Sequence, residues 1–331
     1  MIRFAVLGCG RIGRMHARNI HAHPRAELAA VYDIAAEAAE ATAAELGVKV
    51  AGSVETVLAD PDIEAVLIAS STDTHVDLLT RAAKARKAIL CEKPIDLDIG
   101  RVEACWREIG PLQPFVMLGF NRRFDPSFKA LRDRVTAGEI GKLEQVVITS
   151  RDPAPAPAEY LKGSGGLFRD MTIHDFDMAR YLAGDIVEVQ AMGANLIDPG
   201  IEAIGDIDAA MVVLRAASGA LVHINNSRRC AYGYDQRIEA FGEKGMLLAG
   251  NRRPTEVERW GKDATAAKDP ILHFFIERYR EAYDAEIDHF VDCLEKGRKP
   301  LAGFEEGYEA LKLADAALES LRTGRVVRLS R

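Results

Sequence analysis

Gly8-Cys9-Gly10-Arg11-Ile12-Gly13 has the spacing G-x-G-x-x-G. In that pattern the first glycine permits a tight turn. The second lets the backbone approach a pyrophosphate, and the third lets a following helix pack close to a sheet. A helix opening there offers free N–H groups and the positive end of its dipole to phosphate oxygens. Gly8, Gly10, Arg11, Ile12 and Gly13 are therefore candidate nucleotide contacts. Asp33 stands twenty positions past Gly13. A carboxylate at that distance accepts hydrogen bonds from both ribose hydroxyls and repels a 2′-phosphate, which favours NAD over NADP. Arg11 is the residue that would instead aid a 2′-phosphate.

Two further groups carry chemistry. Glu92-Lys93-Pro94 follows the apolar run Ala-Ile-Leu-Cys, at the strand edge where doubly wound folds place ligands. A lysine there can hydrogen-bond a substrate oxygen and stabilise alkoxide charge as a hydride departs. The proline pins the backbone, and the Lys93–Pro94 bond is of the kind that can be cis. The plain alternative is a surface lysine after a strand.

The second group runs from Gly165-Gly166 through Asp170 and His174 to Asp177. Residues four apart share a helix face, and a carboxylate beside an imidazole fixes its tautomer and raises its basicity, as a general base requires. Two other readings stay open. Asp170, His174 and Asp177 have a spacing that can ligate a metal, but no second histidine is near and a lysine-assisted hydride transfer needs none, so no metal is expected. Alternatively, His174 is a core histidine and Asp170 a helix cap.

These residues need elements to position them. Arg3 to Leu7, Glu27 to Tyr32, Ala65 to Ala69, Ala88 to Cys91 and Phe115 to Gly119 read as buried strands. Helical patterns over Ile12 to Ala22, Ala35 to Leu46 and His75 to Lys84 separate them. That alternation predicts a doubly wound parallel α/β sheet, a Rossmann domain over 1–122. From Asp125 the pattern changes. Leu143 to Ser150, Ala209 to Arg215, Gly219 to Ser227 and Tyr234 to Phe241 alternate apolar and polar residues. They predict a large, mostly antiparallel open sheet in an α+β domain over 123–331. A short helix over Thr172 to Leu182 interrupts it. Helices over His273 to Glu295 and Glu305 to Arg322 close the chain, with the option of packing back on the first domain. Asp152 to Pro157 reads as an extended, proline-rich loop, either a stiff connector or a lid.

Composition narrows the class. A chain of 331 residues is too long for one ordinary core. No apolar run approaches the ~18–20 residues that span a bilayer, so no membrane partner is expected. The opening residues run straight into a strand pattern, and no leader peptide is expected. The net charge of −7 is opposite to that of a duplex-binding protein, which argues against nucleic acid. Cys9, Cys91, Cys105, Cys230 and Cys293 are odd in number and scattered, so they read as buried thiols of a reducing cytoplasm. Alternating strands from Val187 to Leu248 leave an apolar face that asks for cover, so a homo-oligomer is expected.

The nucleotide fingerprint, Glu92-Lys93-Pro94 and the G-G-x-x-x-D-x-x-x-H-x-x-D run from Gly165 to Asp177 resemble the glucose–fructose oxidoreductase/inositol dehydrogenase/MocA-type family, in order along nearly the whole chain. Gly119 to Pro126, Ser150 to Pro153 and Phe168 to Met178 are most similar to its bacterial inositol-oxidising members. The resemblance implies that Lys93, Asp170 and His174 form a catalytic group. It also implies oxidation of the axial hydroxyl of myo-inositol to 2-keto-myo-inositol, with hydride passing to NAD, and assembly as a tetramer. Asp152 and Tyr234 fall where substrate contacts belong, beside Lys93, Asp170 and His174. Ser70, Thr72, His75 and Glu92 fall on the cofactor side. Related members act on scyllo-inositol, chiro-inositol or glucose, and those substrates stay open. A non-catalytic NAD(H)-binding redox sensor is the reading from another class, but it has no reason to keep Lys93, Asp170 and His174 together.

Overall fold

The computed structural model describes residues 1–329. The chain divides into two compact units, one of Met1–Phe124 and Glu281–Leu311, the other of Asp125–Arg280 and the chain from Lys312 on. The first unit opens with β1 (Ile2–Leu7), α1 (Arg11–Ala22), β2 (Ala26–Tyr32), α2 (Ala36–Leu46), β3 (Lys49–Val50) and α3 (Val54–Ala59). It continues with β4 (Ala65–Ile68), α4 (His75–Lys84), β5 (Ala88–Cys91), α5 (Ile99–Ile109) and β6 (Val116–Leu118). The second holds α6 (Pro126–Thr136), β7 (Leu143–Arg151), α7 (Ala158–Gly163), α8 (Ile173–Ala183), β8 (Ile186–Ala194) and α9 (Pro199–Ala203). Then follow β9 (Ala209–Ala216), β10 (Leu221–Ser227), β11 (Asp235–Gly242) and β12 (Gly245–Ala249). A hairpin of β13 (Glu258–Gly261) and β14 (Ala264–Lys268) precedes α10 (Phe275–Arg278), α11 (Arg280–Lys296), α12 (Phe304–Thr323) and β15 (Val327–Arg328).

In the first unit six strands pair in the order β3-β2-β1-β4-β5-β6, all parallel. This is the expected doubly wound sheet. Its order reverses between β1 and β4, the switch point at which such sheets bind ligands beyond their carboxyl ends. Helices cover both faces, so β1, β4 and β5 are buried almost throughout and read as unbroken apolar runs. Short α3, capped by Ser53, and α5, capped by Asp98, are additions to the sequence reading. Phe290 of α11 fills the core against Phe4 and Phe115, with ring centroids 5.3 and 5.1 Å away.

In the second unit seven strands pair in the order β12-β11-β7-β10-β9-β8-β15. The expected mostly antiparallel open sheet is present, with one exception. β7 and β10 run parallel, with Arg151 opposite Ser227. Val146, Ile148, Val212, Leu214, Val222, Ile224 and Ile238 lie on the buried face, against which α8 packs. The predicted helix over His273 to Glu295 is interrupted near Tyr279, giving α10 and α11. All five cysteines are buried and unpaired, as their scatter implied.

Candidate active site

The phosphate loop follows β1, and each glycine has its own steric reason. A methyl group at Gly8, where φ is +104°, would meet the Ala69 carbonyl at 2.5 Å. One at Gly13 would lie 1.9 Å from the Gly8 oxygen, so α1 sits directly on the loop. At Gly10 the same methyl would meet nothing within 4 Å. The loop is thus closed at its two ends and open in the middle, beside the start of α1, which no side chain caps. That is the cradle a dinucleotide pyrophosphate fits, with Arg11 and Ile12 on the first turn. Asp33 has a structural contact the spacing did not suggest. Its Oδ2 accepts the Cys9 N–H at 2.6 Å and its Oδ1 the Ala35 N–H at 2.8 Å, so the carboxylate ties down the loop.

Beyond β4 and β5 the remaining cofactor-side candidates interlock. The Lys93–Pro94 peptide is cis. His75 is fully buried, its Nδ1 2.8 Å from the Pro94 oxygen and its Nε2 3.1 Å from the Ser70 oxygen. It braces the two loops against each other, while the Ser70 and Thr74 hydroxyls meet at 2.7 Å. Thr72 lies half-buried in the same loop. Glu92 reaches back to His16 of α1, whose Nε2 is 2.8 Å from its Oε1. Burial works against the Glu92 carboxylate, but the His16 hydrogen bond and charge, with Lys93, outweigh it and hold the acid below its ordinary range. The Lys93 N–H donates to Glu92 Oε2 at 3.3 Å. Sequence reasoning missed His16. Its one signal was a histidine among Met15, Ala17 and Ile20 on the buried stripe of α1.

In the second unit Asp170 stands on a π-helical turn, Phe168–Thr172, that leads into α8 and His174. The sequence had predicted ordinary helix from Thr172. Wide turns of this kind recur at functional sites. Asp170 is held at both oxygens. The Tyr160 hydroxyl donates to Oδ1 at 2.7 Å, and Arg228 Nη1 donates to Oδ2 at 3.2 Å. Arg228 is 1% exposed and also faces Asp206, at 3.5 Å. Asp206 accepts the Leu167 N–H at 2.9 Å, and a methyl on Gly166, where φ is +85°, would meet it at the same distance. The second glycine of the pair thus makes room for a carboxylate. Behind the turn, Thr172 donates to Asn226 Oδ1 at 2.7 Å and Asn226 donates to Asp175 at 2.8 Å, all three buried.

Asp152 follows β7, its N–H donating to the Ser227 oxygen at 2.9 Å, one residue from Arg228. Tyr234 is 7% exposed, its ring edge-on to Tyr279 at 5.9 Å. Among the described residues no three His, Cys, Asp or Glu side chains are grouped to hold a metal. Tyr160, Asp206, Asn226 and Arg228 escaped the sequence reading, because a pairing such as Arg228 with Asp170 spans 58 positions and leaves no local trace.

Residues 2–120 match the model of the oxidoreductase family with an NAD-binding Rossmann fold, and 128–248 match the GFO/IDH/MocA C-terminal domain. The chain belongs to this GFO/IDH/MocA family of NAD-dependent oxidoreductases. It is 48% identical to the inositol 2-dehydrogenase of Rhizobium meliloti over 99% of each chain. It is 45% identical to the myo-inositol 2-dehydrogenase of Thermotoga maritima, over 99% of this chain and 98% of the other. The crystal structure of a myo-inositol dehydrogenase from Corynebacterium glutamicum superposes with a TM-score of 0.97, at 52% identity, covering 100% of this chain and 99% of that one.

Proposed function

We propose that this enzyme oxidises the axial hydroxyl of myo-inositol to 2-keto-myo-inositol. Full-length similarity to inositol dehydrogenases, in a chain whose sequence carries all of Lys93, Asp170 and His174, is the observation behind the reading. His174, oriented by Asp170, takes the hydroxyl proton. Lys93 donates a hydrogen bond to the same oxygen and stabilises its developing negative charge. NAD, when bound, accepts the hydride from the ring carbon. Gly8, Gly10, Arg11, Ile12, Gly13, Asp33, Ser70, Thr72, His75 and Glu92 are assigned to its binding, and Asp152 and Tyr234 to the polyol. The Asp33 carboxylate supports NAD over NADP.

We also assign the enzyme to a homo-oligomer, a tetramer. The support is a solvent-facing side of the second sheet on which Met192, Met211, Val213, Phe241, Met246 and Leu248 are 42–74% exposed. Exposed apolar side chains in two groups, on β8 and β9 and on β11 and β12, call for a partner, and a second copy of the same sheet is the partner assigned. Five buried, unpaired cysteines support a reducing compartment, the cytoplasm.

The test is NADH formation on a panel of myo-, scyllo- and chiro-inositol, glucose and xylose, each with NAD and with NADP. Turnover of myo-inositol with NAD well above the rest is the expected result. Lys93→Met should then lower kcat by about 10²–10³ while NADH still binds. Selective turnover of another polyol would replace the substrate, and undiminished kcat in Lys93→Met would remove the lysine from the chemistry.

A further inference from the structure

The oxidation needs a base that takes a proton from an alcohol, and Asp170 is the residue assigned to orient it. Nothing in that step calls for Tyr160 or Arg228, yet both oxygens of Asp170 are engaged by them. Arg228 is the more telling of the two. Its side chain is 1% exposed, lies between Asp170 and Asp206, and leaves its Nε without a partner among the described residues. Burying a guanidinium is costly unless its charge is used. Here it neutralises one of two carboxylates and fixes the other.

The topology explains how the two donors reach one carboxylate. β7 and β10 are the parallel neighbours of the second sheet, so Arg151 and Ser227 end side by side. Arg228 follows β10 directly, and the chain leaving β7 passes through the proline-rich loop to α7, which carries Tyr160. Tyr160 is itself 54% exposed. It is not there to fill a core, and its hydroxyl is its specific contact. Desolvation of that hydroxyl, and then the neighbouring Asp170 charge, push the phenol well above its ordinary range, so it stays a donor at working pH.

We propose that Tyr160 and Arg228 are positioning residues that hold the Asp170 carboxylate in one orientation, and thereby set how strongly His174 binds its proton. This rests on the reading of His174 as the base. Among the charged and titratable groups that face the Asp170 carboxylate are Tyr160 from α7, Arg228 after β10 and, behind Arg228, Asp206 from the loop before β9. Asp152 after β7 acts on the Tyr160 phenol. Removing the Tyr160 hydroxyl leaves Asp170 with more electron density for its other partners. The imidazolium at His174 is then held more tightly, and deprotonation requires higher pH.

The test is Tyr160→Phe in the full-length protein, read in two ways. NMR titration of the His174 imidazole, assigned by the signal lost in His174→Asn, should move upward by half a pH unit or more. With the polyol that turns over, kcat should fall on the order of ten-fold, the acidic limb of the kcat/KM profile should move to higher pH, and NADH affinity should be unchanged. Arg228→Lys, which keeps the buried charge, should fold and shift the titration less than Arg228→Met. An unmoved titration in Tyr160→Phe overturns the proposal, whether or not the melting temperature drops, because a merely structural role would lower stability and leave His174 alone. If no polyol is oxidised by the wild type but the titration moves as stated, the inference stands and the substrate reading falls.

Discussion

At the scale of single residues, the first unit hides an acid that the proposed chemistry does not use. Glu286 of α11 is fully buried, and neither carboxylate oxygen has a hydrogen-bond partner among the described residues. Burial, reinforced by the Glu92 charge, raises its pKa well above the carboxylate range, so it is neutral in the folded protein. An acid of this sort costs no stability while pH lies below its unfolded value. It destabilises the fold increasingly as pH climbs above that value, because the unfolded chain ionises and the folded one resists. Glu286→Gln should therefore melt at nearly the same temperature as wild type near pH 4.5 and at a clearly higher one at pH 8. Parallel melting curves across that range would mean that Glu286 carries its charge in the fold.

At the scale of elements, the phosphate loop separates two glycine roles that the motif alone lumps together. Gly13→Ala puts a methyl on the Gly8 oxygen and should destabilise the unit by about 1–3 kcal/mol, as overpacking does. Gly10→Ala fills only open space, so it should keep the melting temperature and weaken NADH binding, measured by fluorescence titration. The reverse pattern would move the pyrophosphate away from Gly10.

The same scale shows what was legible. The strands of the first sheet could be read because burial on both faces makes each an apolar run bounded by turns. The alternation of β9, β10 and β11 likewise announced a sheet with one face covered. Alternation does not encode the direction of a neighbour, so the parallel pairing of β7 with β10 had no signature. α6 did have one, in Asp125 capping Ser127 and Phe128 ahead of Pro126 at its first turn, and it went unread. Gly165 and Gly166 pointed to close approach at the right place, but the group that approaches Gly166, Asp206, lies 40 positions on.

For the whole molecule, the proposed assembly would be tied to stability through the exposed apolar side chains of the second sheet. Light scattering on the purified protein should give a multiple of the 36.2 kDa chain mass. Met211→Lys combined with Val213→Lys should reduce it to the monomer. A wild-type protein that runs as a monomer at micromolar concentration would remove the need for a partner.

The path of the chain through the first unit has another consequence. The nucleotide fingerprint, Gly8 to Gly13, lies early in the order of elements, but Phe290, against which Phe4 and Phe115 pack, arrives only after the whole of β7 to β14 has been synthesised. During translation the nascent Rossmann sheet therefore waits with part of its core uncovered while the intervening segment emerges. A gene cut after Phe124 would express that waiting state, a sheet with its fingerprint intact and its aromatic core open, and not a portable nucleotide-binding module.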